Sequence, residues 1–273
     1  MTMNPSYYTN LTLLILILVF SIITTLTVHE FGHYIFARIY KVHVKEFSIG
    51  IGPTLFSFYW HKKKMIVSFR AILAGAFVML ESTKLRQIYI DDPNAKTYNF
   101  YLMPKPKNTH ALEEVGYWKQ ILIMIGGIFA NFLCFGIFLG IYAAIYSNAV
   151  LDLSKFFRDI FINLGKGFVL YEAWKPKDMG EIIPGGGAGM RFGSRSASVQ
   201  QLLITLISIN GATAIFNFIP VAPLDGSKIV QYTYEKITRK QINEKLWTWT
   251  TIIGVVLVLW VSLGSVINTI IIG

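Results

Sequence analysis

Four apolar stretches divide the chain, and polar or mixed segments separate them. The first, Leu11 to Val28, carries no charged side chain and runs on through a mixed segment to Arg38. At about 1.5 Å per residue it predicts a helix over roughly 11–37 that is long enough to cross a bilayer core. Comparable stretches predict helices over about 117–147, 199–219 and 246–272. Between the first two the periodicity changes. Phe47 to Pro53 is glycine-rich and ends in proline, both unfavourable inside a helix. Leu55–Trp60 and Met65–Arg70 then flank a His61-Lys62-Lys63-Lys64 turn, which reads as a β-hairpin. Ala71 to Leu80 is too short to cross and is broken by Gly75. Two readings stand for it: a strand dipping into the membrane beside protein, or a surface hairpin packed on the cytoplasmic helix ends. The expected fold is an all-α polytopic membrane protein forming one domain over 1–273. It has four transmembrane helices and a membrane-associated β-hairpin or re-entrant strand between the first and second. Residues 38–116 make a cytoplasmic hairpin and loop, and residues 148–198 a short extracytoplasmic loop.

Composition supports this reading: 53% of the residues are hydrophobic and 15% charged. The net charge of +10 would suit nucleic acid, but the basic residues lie in loops beside apolar runs, so no nucleic-acid partner is expected. Net charge is +7 over 37–119, +2 over 148–198 and +3 over 228–247. The middle loop is the least basic, which places it and the N-terminus outside. Met1 to Asn10 has no Lys or Arg, so the first segment is expected to be retained rather than cleaved as a signal peptide. The single cysteine, Cys134, lies in an apolar run and reads as a small apolar residue.

The candidate chemistry sits at the end of the first apolar run, where His29-Glu30-Phe31-Gly32-His33 reads H-E-x-x-H. On a helix, histidines four apart share a face and can close on one metal ion, with Glu30 beside it as general base for an attacking water. A second polar site interrupts the third apolar run at Asn217-Phe218-Ile219-Pro220-Val221-Ala222-Pro223-Leu224-Asp225-Gly226. Prolines, a glycine and a carboxylate in apolar context predict a helix unwound around a polar site. Counted from the start of each helix, Asp225 and His29 fall at comparable depth near the cytoplasmic edge. Asp225 can therefore complete a His, His, Asp set with one position open for water. Asn131, in the second apolar run, reads either as packing glue between helices or as a functional amide.

In this order, HEFGHYIFAR from His29, FSIGIGP from Phe47, GGIFANF from Gly126 and NFIPVAPLDG from Asn217 resemble the bacterial site-2 proteases. These are intramembrane zinc metalloproteases of the regulated-proteolysis type. The resemblance implies one zinc per chain on His29, His33 and Asp225, with Glu30 activating water. It implies that the hairpin and dipping strand near Val67 to Leu80, with Val67, Phe69 and Gly75 among the contacts, pair with an unwound substrate segment. It also makes Asn131, Asn217, Pro220 and Pro223 substrate-binding positions. The sequence departs from the family pattern at Ile128, where members often have proline, and at Ser227, where a second glycine is usual. The 51 residues of 148–198 are too few for the PDZ domain of larger relatives.

The reading that follows is a multi-pass protein of the bacterial plasma membrane that hydrolyses peptide bonds within or near transmembrane segments. Its expected partners are the bilayer and a transmembrane substrate, such as an anti-sigma factor or a remnant signal peptide. The alternative is a non-catalytic adaptor (a pseudoprotease) or a metal transporter. A dead relative would be expected to have lost Glu30 or a ligand, and a transporter needs polar residues along a whole path rather than at one depth.

Overall fold

The uncharged run folds as one continuous helix, α1 (Pro5–Ile39), starting earlier than the hydropathy pattern indicated. The computed structural model describes residues 5–84, 105–146, 158, 198–243 and 245–257. After α1 come strands β1 (Val44–Trp60) and β2 (Met65–Leu80), a 3₁₀ turn at Leu112–Glu114, and helix α2 (Tyr117–Ile145). Helices α3 (Val199–Phe216), α4 (Asp225–Thr238) and α5 (Lys245–Leu257) follow. The chain is thus mostly helical, with a two-stranded sheet between α1 and α2. Among the described residues three segments are long and apolar enough to cross a membrane: Thr12–Ile39, Tyr117–Ile145 and Val199–Phe216. The expected fourth span is described only as far as α5, and its remainder lies outside the described residues, as does most of the 148–198 loop.

The chain divides into two compact units, one of them formed by 23–131 with 228–241. In this unit the hairpin is longer than its sequence signal, because β1 and β2 each fold back. Residues 54–60 pair with 65–70 across the lysine turn, while 44–49 pair with 76–80. Residues 46–49 also register with 66–69, so they are flanked on two sides. The fold-back is made possible at Gly50, whose φ of 90° suits glycine and where a Cβ would stand 2.7 Å from the Arg70 carbonyl oxygen. The core joins Ala37 of α1, Val42, Val44 and Met65 of the hairpin region, Leu112 and Val115, and Ile123 and Met124 of α2. Ile229 and Tyr232 of α4 pack against it. Two charge pairs sit inside this layer: Lys45 Nζ lies 3.2 Å from Glu81, and Arg70 donates to Glu46 at 2.8 Å. Arg70 also donates to Ser48 Oγ and the Gly52 carbonyl, clamping the bend. In contrast, Leu55, Phe56, Phe58, Tyr59 and Trp60 toward the hairpin tip are all exposed.

His43, buried at the start of the hairpin, is a stability element that the sequence did not suggest. Its backbone N–H donates to the His110 carbonyl at 3.0 Å. Burial, and then the neighbouring charges of Lys45, Arg38 and Lys64, push its pKa down to about 4. The folded imidazole is therefore neutral where an unfolded one takes a proton, so stability holds above pH 6.5 and falls as pH drops toward 4. The full loss is about 3 kcal/mol. Thermal unfolding of purified protein between pH 7.5 and 4.5 should show this decline, and His43→Gln should flatten it. An equal decline in the variant would assign the acid sensitivity elsewhere.

The other unit comprises 1–22, 132–227 and 242–273. In it Phe135 and Tyr142 of α2 pack with Leu203 and Ile207 of α3. Ser198 caps α3 by accepting from the Gln201 N–H, and Asn217 ends the helix. The chain then unwinds over 218–224, as the two prolines predict, with a cis peptide at Ala222–Pro223. The Gly226 N–H donates to the Asn217 carbonyl at 2.7 Å, closing the loop so that Asp225 opens α4.

Candidate metal centre

The motif lies on the last turns of α1, where helical spacing brings His29 and His33 to one face. Both imidazoles are buried, and their Nε2 atoms stand 3.2 Å apart. Their rings meet edge to face, with centroids 4.8 Å apart. One ligand atom from each of His29, Glu30 and His33 lies within 4.8 Å of the others. Such a mixed nitrogen and oxygen set suits zinc.

A stripe along α2 faces these groups, made of Ile123, Gly127 and Asn131 at four-residue intervals. The Ile123 carbonyl accepts from His33 Nδ1 at 2.8 Å, because a carbonyl can only accept. That places the His33 proton on Nδ1 and leaves the Nε2 lone pair facing His29. Asn131, fully buried, sets its side-chain amide 3.1 Å from His29 Nδ1. Between them Gly127 presents bare backbone to both rings: a Cβ there would stand 2.5 Å from His33 Nε2 and 2.8 Å from His29 Nε2. One residue earlier, Gly126 meets Gly32 so closely that a Cβ on either glycine would collide with the other's carbonyl. Two imidazoles converge on a cradle that any side chain at residue 127 would fill, and this arrangement fits a metal ion.

Glu30 is half-buried, and its carboxylate accepts the Val78 backbone N–H at 3.0 Å. Glu30 is thereby tied to β2 as well as to its own helix. Hydropathy and spacing gave no signal for this contact, which depends on a backbone group 48 residues away.

The remaining expected site residues are placed as follows. Val67 registers with both Phe47 and Phe58, and Phe69 with both Ile49 and Phe56, so both residues are flanked by strand on two sides. Gly75 lies at the fold-back, where a Cβ would press on Ile51. Segments 54–60 and 76–80 are each paired on one side, and 76–80 is the one that reaches Glu30. In the other unit, the Asn217 side-chain amide donates to the Thr213 carbonyl at 2.9 Å, Pro220 and Pro223 are exposed, and Asp225 is partly buried.

Comparison with known proteins agrees with this geometry. "Putative zinc metalloprotease FN1322" of Fusobacterium nucleatum is 32% identical over 125 residues, 46% of this chain and 31% of that relative. "Putative zinc metalloprotease" of Thermotoga maritima is 33% identical over 112 residues, 40% of this chain and 19% of that relative. "Putative zinc metalloprotease spr0242" of Streptococcus pneumoniae is 40% identical over 72 residues, 26% of this chain and 17% of that relative. The matched stretches thus span less than a third of these relatives' own length. The description "Peptidase family M50" matches residues 16–261, nearly the whole sequence. A metalloprotease family carried on membrane-crossing helices accounts for a histidine pair buried at a helix end, and the chain belongs to peptidase family M50.

Proposed function

We propose that this protein is an intramembrane zinc endopeptidase of the site-2 type, cutting a peptide bond within or near a substrate's transmembrane segment. The observation that carries the reading is the pair of Nε2 atoms 3.2 Å apart at the end of a helix apolar enough to cross a bilayer. When bound, zinc supplies Lewis acidity that brings a water's pKa toward neutrality. His29 and His33 hold it, and Asp225 is the proposed third ligand, which leaves one position open. Glu30 takes the proton of the attacking water and passes it to the leaving amide nitrogen. A helical peptide bond is shielded by its own hydrogen bonds, so the substrate must be extended before it is cut. The one-sided segment 76–80 is the proposed edge for it, because strand addition there would present an extended backbone beside Glu30. Asn217, Pro220 and Pro223 are proposed to contact the same segment. The net charges of the loops support an extracytoplasmic N-terminus and a site near the cytoplasmic face, and a bacterial plasma-membrane location is part of the same proposal.

The test is metal removal and return. Purified protein should carry about one zinc per chain and cleave a single-span substrate. A chelator should abolish both, and zinc, but not magnesium, should restore them. Bound zinc with no cleavage of several substrates would favour the adaptor or transporter, and absence of metal would overturn the reading.

A further inference from the structure

The position of Asn131, expected at the substrate, puts its amide beside a histidine of the site. Its side chain is fully buried, with the amide nitrogen 3.1 Å from His29 Nδ1, while its Oδ1 is buried with no hydrogen-bond partner. A carboxamide turned by half a revolution keeps its shape but exchanges donor for acceptor. The two orientations have opposite consequences for His29. With nitrogen facing the ring, Nδ1 accepts, so the ring proton sits on Nε2 and points toward His33 Nε2, whose lone pair is held there by the Ile123 carbonyl. The two histidines then satisfy each other. With oxygen facing the ring, His29 Nδ1 donates, Nε2 presents a lone pair, and both imidazoles offer electron pairs to one point. Only the second arrangement can ligate, because a metal ligand must be the unprotonated nitrogen. The half-turn gives the buried Oδ1 a partner and takes the same partner from Nδ2, so the drive for it is the metal bond at Nε2 rather than the amide's own hydrogen bonds.

We propose that Asn131 is the positioning residue for His29, and that its amide turns over on metal loading so that Oδ1 accepts from Nδ1. His33 needs no such device, since a backbone carbonyl already fixes its tautomer. The stripe Ile123, Gly127, Asn131 therefore sets one histidine permanently, clears space, and switches the other. The inference rests on the proposed zinc site and deepens it.

The test uses the purified full-length protein and zinc alone. Zinc affinity is measured by chelator competition for wild type, Asn131→Ala and Asn131→Asp, alongside cleavage kinetics. Asn131→Ala should bind zinc about 10–100-fold more weakly. Asn131→Asp should recover most of the loss, because a carboxylate oxygen accepts from Nδ1 in either orientation. Nitrogen chemical shifts of labelled histidine in the wild type should show the His29 proton moving from Nε2 to Nδ1 when zinc is added, which needs no variant to fold. Unchanged zinc affinity in Asn131→Ala with a raised KM would overturn the proposal in favour of substrate contact. A His29 ring already protonated on Nδ1 without zinc would overturn the switch. A wild type that binds no zinc would overturn the underlying site itself, a failure distinct from the other two.

Discussion

Glu30→Gln should hold as much zinc as the wild type and cleave a single-span substrate about 10²–10⁴-fold more slowly, the range expected for loss of a general base. The substitution is well isolated. The amide is the same size as the carboxylate, and its oxygen can still accept the Val78 N–H that Glu30 accepts at 3.0 Å. The histidines keep their own partners, Ile123 and Asn131, so the metal-holding groups are undisturbed. Only the ability to accept and return a proton is lost. Zinc content by atomic absorption and initial cleavage rates give the two readouts. Activity within tenfold of the wild type would place the base elsewhere, and loss of zinc as well would make Glu30 a ligand.

The second large effect is expected at a residue with no chemistry of its own. Gly127→Ala puts a methyl group 2.5 Å from His33 Nε2 and 2.7–2.8 Å from the His29 ring, well inside contact distance. One or both rings must turn away, so zinc binding should fall by more than 100-fold and cleavage with it. Helix propensity alone would have Ala stabilise α2 by about 1 kcal/mol. A protein that is as heat-resistant as wild type yet metal-free is therefore the expected result. Gly136→Ala and Gly140→Ala, on the same helix with nothing within 4 Å of a new Cβ, are the matched controls and should bind zinc normally. Zinc binding by Gly127→Ala at wild-type strength would show that the rings do not pack on α2 backbone.

The sequence showed these two residues very unequally. His29, Glu30 and His33 were legible because four-residue spacing on a helix is a local property, and so were the three apolar spans. The glycines of α2 were legible only as packing residues. That is correct for Gly126, which meets Gly32, but it misses Gly127, because which neighbour a helix face meets is not local. Asn131 was recognised as out of place in an apolar run, yet its partner could be known only once α1 and α2 were set together. The hairpin's turn was legible from its lysines. The pairing of 44–49 with 76–80 was not, since 76–80 is a continuous apolar run and carries no register signal. The amide of Asn217 shows the converse. Its amide nitrogen ends α3 at the Thr213 carbonyl, a helix-terminal role that spacing alone did not show and that leaves its oxygen for the proposed substrate contact.

The bond between Val78 and Glu30 has one more consequence. Glu30, the proposed proton-transfer group, takes part of its orientation from a strand whose bend is clamped by Arg70 through Glu46, Ser48 and Gly52. Damage far out on the hairpin can therefore travel along the strand and arrive as a misdirected carboxylate. In an activity screen such a lesion would be indistinguishable from a broken active site, although every metal-binding group was intact. On the proposed function, turnover would in that sense be a strain gauge for the sheet, and only a paired reading of metal content would separate a bent frame from failed chemistry.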